Sequence, residues 1–472
     1  MINLLIILNI YFVSFLDKPE KTAPQLSPRA VAQRAQWDIP TDAMDYPVSP
    51  MYMNELTKMG VKIHHKSRWF NGVTCEMDET TAAKVAELKF VTAVEITRDN
   101  TPPSALPQRR AWEAQNPPTS ISTTDQLTLY NLLKLHEEGY EGQGILMAIC
   151  DGGFSNANTL SCFRSKELEL GHYDFTDDPY GFYEAGSCGA HGTACLSTIT
   201  GLTKDYHGAA TQAEYVLMRS EEEDTESPKE MDNLVAALEK ADSLGVNVFS
   251  VSLGYYWFNN KSWDLPFSAL DGKTSRASMA ATIAARKGML VCVAAGNEGN
   301  KEWQKISIPA DADSILAVGA VNTDGVIADF SSHGPTADGR IKPDVCAVGW
   351  GTSLINYSEE IYSSNGTSFA TPLIAGLAAS LWSALPKENA MQIRERIIRS
   401  ADRYGHPDTN DYLYGYGIPD AWKAYTMKRD EDGLSVAEYG LQEDQPRKVI
   451  HGNEILIIRH GHIYNLSGQL IE

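Results

Sequence analysis

The stretch Asn365-Gly-Thr-Ser-Phe-Ala-Thr-Pro372 and the apolar run at residues 373–385 behind it decide the fold of this chain. The run is apolar nearly all round, which predicts a buried helix. We expect Pro372 in the first turn, where its missing N–H costs nothing, so the helix begins close to Ser368. Free N–H groups at the helix start would then face a carbonyl oxygen that Ser368 approaches. An N-cap serine gives the same local pattern, so partners elsewhere in the chain must decide between the two interpretations.

Apolar strands alternate with amphipathic helices from residue 124 to about residue 425. This alternation predicts an α/β fold with a doubly wound, mainly parallel sheet. Ligands of such sheets bind beyond the carboxyl ends of the strands. The predicted strands cover residues 144–150, 214–218, 246–253, 289–294 and 315–321, and the predicted helices cover residues 231–244 and 278–286.

Polar residues follow several of these strands, at the edge where ligands bind. Asp151 comes directly after the first strand, Ser252-Leu-Gly254 closes the third and Gly296-Asn297 closes the fourth. His191 begins a predicted helix of small residues. A single histidine is more often a core or surface residue. In a domain with an edge aspartate and an edge serine, however, it is a candidate catalytic group.

Asp151, His191 and Ser368 together supply the groups that acyl transfer to serine requires. A serine hydroxyl is a weak nucleophile and needs a base within hydrogen-bond reach, which an imidazole supplies. A carboxylate fixes the tautomer of that imidazole and stabilises the imidazolium. Asn297 would donate its amide to the oxyanion beside the N–H of Ser368. The sequence therefore predicts nucleophilic catalysis by serine.

The blocks around these four residues resemble those of subtilases, the subtilisin-like serine peptidases. The chain order Asp, His, Ser is also that of subtilisin. The resemblance implies a subtilisin-like fold and hydrolysis of polypeptide substrates. The blocks are Ile149-Cys-Asp-Gly-Gly153, His191-Gly-Thr-Ala194, Ala294-Ala-Gly-Asn-Glu-Gly299 and Asn365 to Pro372, with a fifth at Phe330-Ser-Ser-His-Gly-Pro335 and Arg340-Ile-Lys-Pro-Asp344.

The resemblance also implies a role for each residue. Asp151 would be the orienting carboxylate, His191 the general acid and base, Ser368 the nucleophile and Asn297 the oxyanion donor. A strand beside them would pair with the substrate backbone and form a wall of the pocket for the side chain before the scissile bond. The substrate-binding residues so implied are Ser252, Leu253, Gly254, Ala295 and Gly296.

Two residues depart from the family pattern. Gly152 stands where the family usually has a hydroxyl residue after the aspartate, so Asp151 must be supported from elsewhere. Phe369 stands where a methionine usually follows the nucleophile, and its bulk would reshape the rim of the pocket. Neither departure removes a reacting group.

Residues 10–100 carry the order β-α-β-β-α-β of a small ferredoxin-like α+β domain. The resemblance implies that this domain is a propeptide, an intramolecular chaperone and inhibitor removed by autoprocessing. Residues 101–123, polar and proline-bearing, are the expected linker and processing region, and the catalytic domain would cover residues 124–428. The predicted strands lie at residues 10–16, 61–69, 72–77 and 90–96, and the helices at residues 50–59 and 79–88.

Both ends of the chain suggest export. Residues 4–16 are apolar, too short to span a bilayer and without Lys or Arg before them. They are either a signal-peptide core, or residues 10–16 form the first strand and residues 1–9 remain from a shortened signal. The tail at residues 429–472 carries a predicted β-hairpin at residues 454–466. It resembles the sorting tails of type IX secretion substrates from Bacteroidetes, and a hairpin packed on the catalytic domain is the alternative. The predicted location is secreted or cell-surface.

Composition limits the partners. A formal net charge of -21 argues against a nucleic-acid partner, and we expect a monomer. The seven cysteines show no metal-ligand spacing, so no metal ligand is assigned. Cys162 and Cys188 lie in one long loop and are the pair expected to form a disulfide. Cys150, Cys195 and Cys292 are expected in the core.

Two further segments keep alternative interpretations. The run Glu221-Glu-Glu-Asp-Thr-Glu226 predicts a solvated loop. Calcium, which subtilases often carry, is the alternative for such an oxygen-rich loop, and no other cofactor is indicated. A preference for basic substrates near this loop is a further hypothesis. The aromatic run Tyr255-Tyr-Trp-Phe258 either packs against residues 259–273 or grips substrate side chains.

The function predicted from the sequence is that of an exported serine endopeptidase, made as a zymogen, that acts through an acyl-enzyme on Ser368. The rival is a catalytically silent subtilase-like scaffold that binds peptides. The intact triad and Asn297 argue against the rival, because a binding module needs none of the four. An esterase of the α/β-hydrolase type is excluded, since the Gly-x-Ser-x-Gly elbow is missing and the chain order differs.

Overall fold

The structure, a computed structural model, describes residues 7–20, 22–99, 122–163, 171–184, 187–406 and 411–427, together with strands at residues 447–451, 454–459 and 462–464. The chain forms two compact units, residues 1–427 and residues 428–472. The predicted linker at residues 101–123 therefore lies almost entirely outside the described residues.

The amino-terminal part of the first unit has the ferredoxin-like plan. Its four strands form an antiparallel sheet in the order β2-β3-β1-β4, which confirms the predicted order of elements. An additional helix, α1, was not predicted. The elements are β1 (Asn9–Phe15), α1 (Pro28–Gln36), α2 (Pro50–Lys58), β2 (Lys62–Ser67), β3 (Gly72–Met77), α3 (Glu79–Ala86) and β4 (Val91–Arg98).

The rest of the first unit is built around a seven-stranded sheet in the order β11-β10-β9-β8-β5-β7-β6. All its strand pairs are parallel, which confirms the predicted doubly wound sheet. The elements are α4 (Thr123–Thr128), α5 (Leu132–Glu137), β5 (Leu146–Asp151), β6 (His172–Asp174), α6 (Ser187–Thr200), β7 (Glu214–Arg219), α7 (Lys229–Leu244), β8 (Val248–Val251), α8 (Arg276–Arg286), β9 (Leu290–Ala294), β10 (Leu316–Val321), β11 (Val345–Val348), β12 (Thr352–Ile355), β13 (Ile361–Ser364), α9 (Thr367–Ala384), α10 (Ala390–Ser400) and α11 (Ala421–Thr426).

Each face of this sheet has its own apolar core, as the continuous apolar strands predict. Met147 and Ile149 of β5 point into the core that contains α9. Ala148 and Cys150, which alternate with them, point into the core that contains α7 and α8. The outer surface of α7 and α8 carries the ferredoxin-like sheet.

Polar contacts join that sheet to the two helices. The Arg276 guanidinium of α8 lies 4.2 Å from the centre of the Phe12 ring. On α7, the Glu239 carboxylate accepts a hydrogen bond of 2.6 Å from the Ser67 hydroxyl, and the amide oxygen of Asn233 lies 3.1 Å from His65 Nε2. Side chains from the strands of the amino-terminal sheet therefore bind polar and charged side chains of α7 and α8.

The second unit is a three-stranded antiparallel sheet of β14 (Arg447–His451), β15 (Glu454–Arg459) and β16 (His462–Tyr464). The pairing of β15 with β16 confirms the predicted hairpin, and β14 adds a strand that the sequence pattern did not reveal. Among the described residues, no helix is both long and apolar enough to cross a membrane.

The described cysteine side chains of the catalytic domain are core residues. Cys150, Cys195 and Cys292 are buried free thiols, as expected. Cys162 is also a buried free thiol, so the expected disulfide to Cys188 is wrong; the Cys188 side chain lies outside the described residues. The backbone at Cys162 is instead held by Glu359, whose carboxylate accepts a hydrogen bond of 2.7 Å from the Cys162 N–H.

We expect Gly376→Ala to destabilise the protein, although the same change stabilises an open helix by about 0.5–1 kcal/mol. A Cβ at Gly376 of α9 would lie 2.6 Å from the Ala209 Cβ. Overpacking of this kind costs about 1–3 kcal/mol, so thermal unfolding should shift downward by several degrees. Adding Ala209→Gly removes the clash and should restore most of the loss. An unchanged melting temperature for Gly376→Ala alone would contradict the close packing.

Candidate active site

Asp151 is the last residue of β5, at the point where the order of successive strands in the sheet reverses. The chain runs from β5 to β6 and β7 on one side and then crosses to β8 on the other side, so β5 lies between β7 and β8. Such a switch point, at the carboxyl ends of the strands, is where ligands bind in open α/β sheets. The Asp151 side chain is only 1% exposed.

A close approach of α6 to β5 brings His191 to Asp151. A Cβ at Gly192 would lie 2.1 Å from the Gly153 carbonyl oxygen, so only glycine permits this packing. His191 Nδ1 lies 2.8 Å from Asp151 Oδ1. Because a carboxylate only accepts, the contact places the imidazole proton on Nδ1 and leaves Nε2 as the acceptor. The helix begins at Ser187, earlier than predicted.

The Asp151 carboxylate has one further donor in the described structure. The Gly152 N–H donates to Oδ1 over 2.8 Å. The other oxygen, Oδ2, has no hydrogen-bond partner among the described residues. Gly152, which stands where the family usually has a hydroxyl residue, offers no hydroxyl to Oδ2.

Ser368 lies in the first turn of α9, as predicted, and 4% of it is exposed. Pro372, however, lies in the second turn rather than the first. A proline there cannot donate to the carbonyl four residues earlier, which is that of Ser368. The Ser252 hydroxyl donates to this carbonyl over 2.7 Å and the Cys195 thiol over 3.4 Å. The expectation for Pro372 was wrong because partners from outside the helix satisfy the freed oxygen.

Asn297 is fixed by the residue before the predicted nucleophile. Its side-chain oxygen accepts two hydrogen bonds of 2.9 Å, one from the N–H and one from the hydroxyl of Thr367. Thr367 also accepts a bond from the Gly296 N–H over 3.2 Å. These two hydrogen bonds engage the Asn297 side-chain oxygen and fix the orientation of its amide group.

The predicted substrate-binding residues lie together beside Ser368. Ser368 Oγ donates to the Ser252 carbonyl over 3.4 Å. Gly254 and Gly296 both face Ser307, because a Cβ at either glycine would lie within 2.8 Å of a Ser307 side-chain atom. Ala295 accepts from the Ser307 N–H over 3.0 Å, and Leu253 packs on the core below. Ser307 was missed by sequence reasoning, since no local pattern distinguishes it.

A large cavity of about 580 Å³ opens beside these residues. Tyr256 stacks on Trp303 with ring centres 4.8 Å apart, and Lys301 lies 3.1 Å from the Glu298 carboxylate. Tyr255 and Phe258 are fully buried, so the aromatic run both packs inward and lines the cavity. The lining residues are Tyr256, Trp257, Phe267, Glu298, Lys301, Glu302, Trp303 and Lys305.

The acidic run after β7 is not the solvated loop that the sequence predicts. Glu221, Glu222 and Glu226 are buried. Lys229 lies 2.6 Å from the Glu222 carboxylate, and Arg98 of the amino-terminal domain lies 2.6 Å from its other oxygen. Lys229 and Arg98 thus occupy both Glu222 oxygens, and the Tyr255 hydroxyl donates to Glu221, so these two carboxylates bind protein groups rather than calcium.

Cys195 completes the surroundings of His191. Its sulphur lies 3.8 Å from His191 Nδ1, and Asp151, His191 and Cys195 form the only group of potential metal ligands of this kind within the described ranges. Burial raises the pKa of the Cys195 thiol to about 11, so the sulphur stays protonated near neutral pH. A protonated thiol is a poor metal ligand, and here it donates to Ser368.

Comparisons with known proteins agree with this geometry. Residues 142–417 match the model of the subtilase family, Peptidase S8, and residues 10–113 match the Peptidase S8 propeptide domain of Bacteroidota. Subtilisin E of Bacillus subtilis is 27% identical over 370 residues, which cover 77% of this chain and 83% of the relative. Subtilisin DY of Bacillus licheniformis is 30% identical over 288 residues, which cover 60% of this chain and 92% of the relative.

Among solved structures, MycP1 from the ESX-1 type VII secretion system shares the fold, with a TM-score of 0.51 and 21% identity over 70% of this chain and 90% of that chain. The subtilase model covers more than half of the chain, and a subtilase propeptide model covers its amino-terminal part. The protein therefore belongs to the subtilase family and is a serine peptidase made as a zymogen, with polypeptide substrates and its own propeptide as partners.

Proposed function

We propose that the protein is an exported endopeptidase that cleaves internal peptide bonds through an acyl-enzyme on Ser368. The observation that carries the proposal is the 2.8 Å contact of His191 Nδ1 with Asp151, at the same sheet edge that holds the start of α9. A carboxylate-bound imidazole next to a serine at a helix start is the arrangement that acyl transfer needs.

The proposed reaction has two halves, acylation of Ser368 and hydrolysis of the acyl-enzyme. Ser368 Oγ attacks the substrate carbonyl while its proton passes to His191 Nε2, and Asp151 stabilises the imidazolium. The Asn297 amide and the Ser368 N–H bind the oxyanion. His191 then protonates the leaving amine as the C–N bond breaks. A water molecule, deprotonated by His191, hydrolyses the ester and frees Ser368.

The cavity beside Gly254 is proposed to take a large apolar side chain of the substrate. Four of its lining residues are aromatic: Tyr256, Trp257, Phe267 and Trp303. The Glu298 carboxylate is paired with Lys301, and the charged lining residues Glu298, Glu302, Lys301 and Lys305 sum to zero, so the cavity has no net negative charge to favour a basic side chain. Ser252 to Gly254 would pair with the backbone, as extended peptides pair with exposed strands.

Contacts of the last described propeptide residues with the catalytic domain support the proposed zymogen organisation. Arg98 pairs with Glu222 in the loop after β7, and Asp99 accepts from Asn260 over 2.8 Å, beyond the substrate strand. The chain is thus at the catalytic edge as it enters residues 101–123. We propose that autoprocessing occurs there, between a propeptide at residues 10–100 and a monomeric catalytic domain at residues 124–428. Residues 1–9 and 429–472 are proposed to serve export.

Ser368→Ala should abolish both self-cleavage and peptide hydrolysis, with a loss of about 10⁶-fold in kcat. Intact mass over time, wild type beside variant, measures the first, and a quenched peptide measures the second. Ser358→Ala changes an exposed serine and is the matched control. Self-cleavage of Ser368→Ala at the wild-type rate would refute the nucleophile. Failure of wild type to react with a covalent serine probe would favour a silent peptide-binding scaffold.

Asn297→Ala should lower kcat by about 100- to 1,000-fold while KM changes little, because the oxyanion exists only during the reaction. Asn300→Ala, at an exposed asparagine three residues later, should behave as wild type. Steady-state kinetics of both variants make the comparison. A change confined to KM would show that Asn297 binds substrate rather than the oxyanion.

Trp303→Ala should reduce selectivity for a large aromatic side chain before the scissile bond. The stack on Tyr256 would be lost, and with it about 1 kcal/mol of contact, or roughly fivefold in kcat/KM. Competing peptides that carry Phe or Ala at that position give the ratio directly. Tyr357→Ala, an exposed aromatic outside the cavity, is the control. If Trp303→Ala leaves the ratio of Phe to Ala cleavage unchanged, the substrate side chain before the scissile bond binds in another pocket.

A further inference from the structure

A second surface, apart from the ferredoxin-like sheet, joins the amino-terminal domain to the catalytic domain. It is made by residues 18–49, here called the inserted segment, which connect β1 to α2 and contain α1; residue 21 lies outside the described residues. Connections within compact domains are usually about 4–6 residues long. The inserted segment is therefore an addition to the β-α-β-β-α-β plan, and its contacts need an explanation.

The start of α1 covers the end of α7. The Ser27 hydroxyl donates to the Leu244 carbonyl over 2.9 Å, and the Ser27 N–H donates to the Ser243 carbonyl over 2.8 Å. The last carbonyls of a helix have no partner within the helix, so Ser27 supplies what α7 lacks. The fit is close, because a Cβ at Gly245 would lie 2.6 Å from the Ala30 nitrogen.

Next to this cap lies a network of buried charges in which each domain contributes both a cation and an anion. Arg34 of the inserted segment lies 2.8 Å from Asp242 of α7 and 2.8 Å from Asp45 of its own segment. Lys287, just after α8, lies 2.8 Å from Asp45. All four side chains are at most 5% exposed. Without Arg34, Asp242 would still pair with Arg68 over 2.5 Å and Asp45 with Lys287, but the buried network would lose one of its cations, and such a loss is destabilising.

The inserted segment lies at the edge of the sheet opposite to the active site. Arg29 donates to the Gly144 carbonyl over 2.7 Å and pairs with Glu214. Gly144 and Glu214 stand at the starts of β5 and β7, whereas Asp151 stands at the end of β5. The segment therefore leaves the catalytic edge uncovered, and its contacts serve attachment rather than occlusion.

We infer that the carboxyl-terminal ends of α7 and α8 form a second binding surface, in addition to the one under the ferredoxin-like sheet, that slows release of the propeptide after the linker has been cut. Its partner is the chain's own inserted segment, held by Ser27, Arg34 and Asp45. One cut within residues 101–123 thus leaves the amino-terminal domain bound, and release requires the inserted segment to detach as well. The inference rests on the proposed cleavage in that region.

The test separates retention from self-cleavage. In full-length Ser368→Ala, a recognition sequence for an unrelated site-specific protease replaces part of residues 101–120, and the added protease makes the cut. A fluorophore on the amino-terminal fragment reports its dissociation after dilution, and gel filtration reports whether it coelutes with the catalytic domain. The cut does not depend on Ser368, so an inactive site would leave this experiment intact.

The parent fragment should coelute after the cut, and Arg34→Met should dissociate at least about 30-fold faster. Lys58→Met is the matched control, because Lys58 is an exposed cation of the same domain that pairs only with Glu55 of its own helix. Its dissociation should equal that of the parent. If Arg34→Met does not fold, judged by its melting before the cut, the double variant Ser27→Ala/Arg29→Ala decides, with an expected acceleration of about fivefold or more.

Two results would overturn the inference. One is a parent fragment that separates from the catalytic domain as soon as the linker is cut. The other is dissociation of Arg34→Met, or of the double variant where Arg34→Met does not fold, at the rate of the parent and of Lys58→Met. The first result would show that neither surface retains the fragment, and the second would show that the ferredoxin-like sheet alone sets the lifetime of the complex.

Discussion

The burial of α9 against the parallel sheet is the constraint on which the catalytic edge depends. Its first residues do more than carry Ser368. Thr367 holds the oxygen of Asn297 with two hydrogen bonds, and the Ser368 carbonyl, released by Pro372, binds the hydroxyl of Ser252. The start of one helix thus fixes the proposed nucleophile, the proposed oxyanion donor and the substrate strand relative to one another. Because the helix is buried along its length, this arrangement does not depend on a mobile loop.

The other half of the site depends on close backbone packing. Gly192 lets α6 reach the end of β5, and only this approach brings the His191 imidazole to the Asp151 carboxylate. The hydrogen bond from His191 Nδ1 to Asp151 is charge-assisted and helps to orient the imidazole. Bonds of this kind are strong in a site shielded from water.

Attachment of the propeptide relies on charges that neither domain could bury alone. Burial by itself would raise the pKa of Asp45, but hydrogen bonds from Lys287, the Asp42 backbone and Arg34 outweigh it and hold that pKa below its usual value. At the catalytic edge, Arg98 and Lys229 each pair with the Glu222 carboxylate. The many acids of the catalytic domain are thus in part a docking surface for basic side chains of its own propeptide.

Local pattern was sufficient for the four strands of the ferredoxin-like sheet, for five of the seven strands of the parallel sheet, for α2, α3 and α6 to α9, and for the order of the reacting groups. Apolar periodicity and strand-end residues are features of neighbouring positions. It predicted the parallel sheet, the ferredoxin-like plan and the place of Ser368 in the first turn of α9. It failed for α1, whose signal was only the cap pair Ser27-Pro28 without an apolar stripe, and for the disulfide expected at Cys162. Only the tertiary structure decided that three acids of the loop after β7 are buried, that Ser307 lies against Gly254 and Gly296, that Trp303 lines the cavity, and that Arg34 meets Asp242. Each of these depends on residues far apart in the chain, whose distance no local pattern encodes.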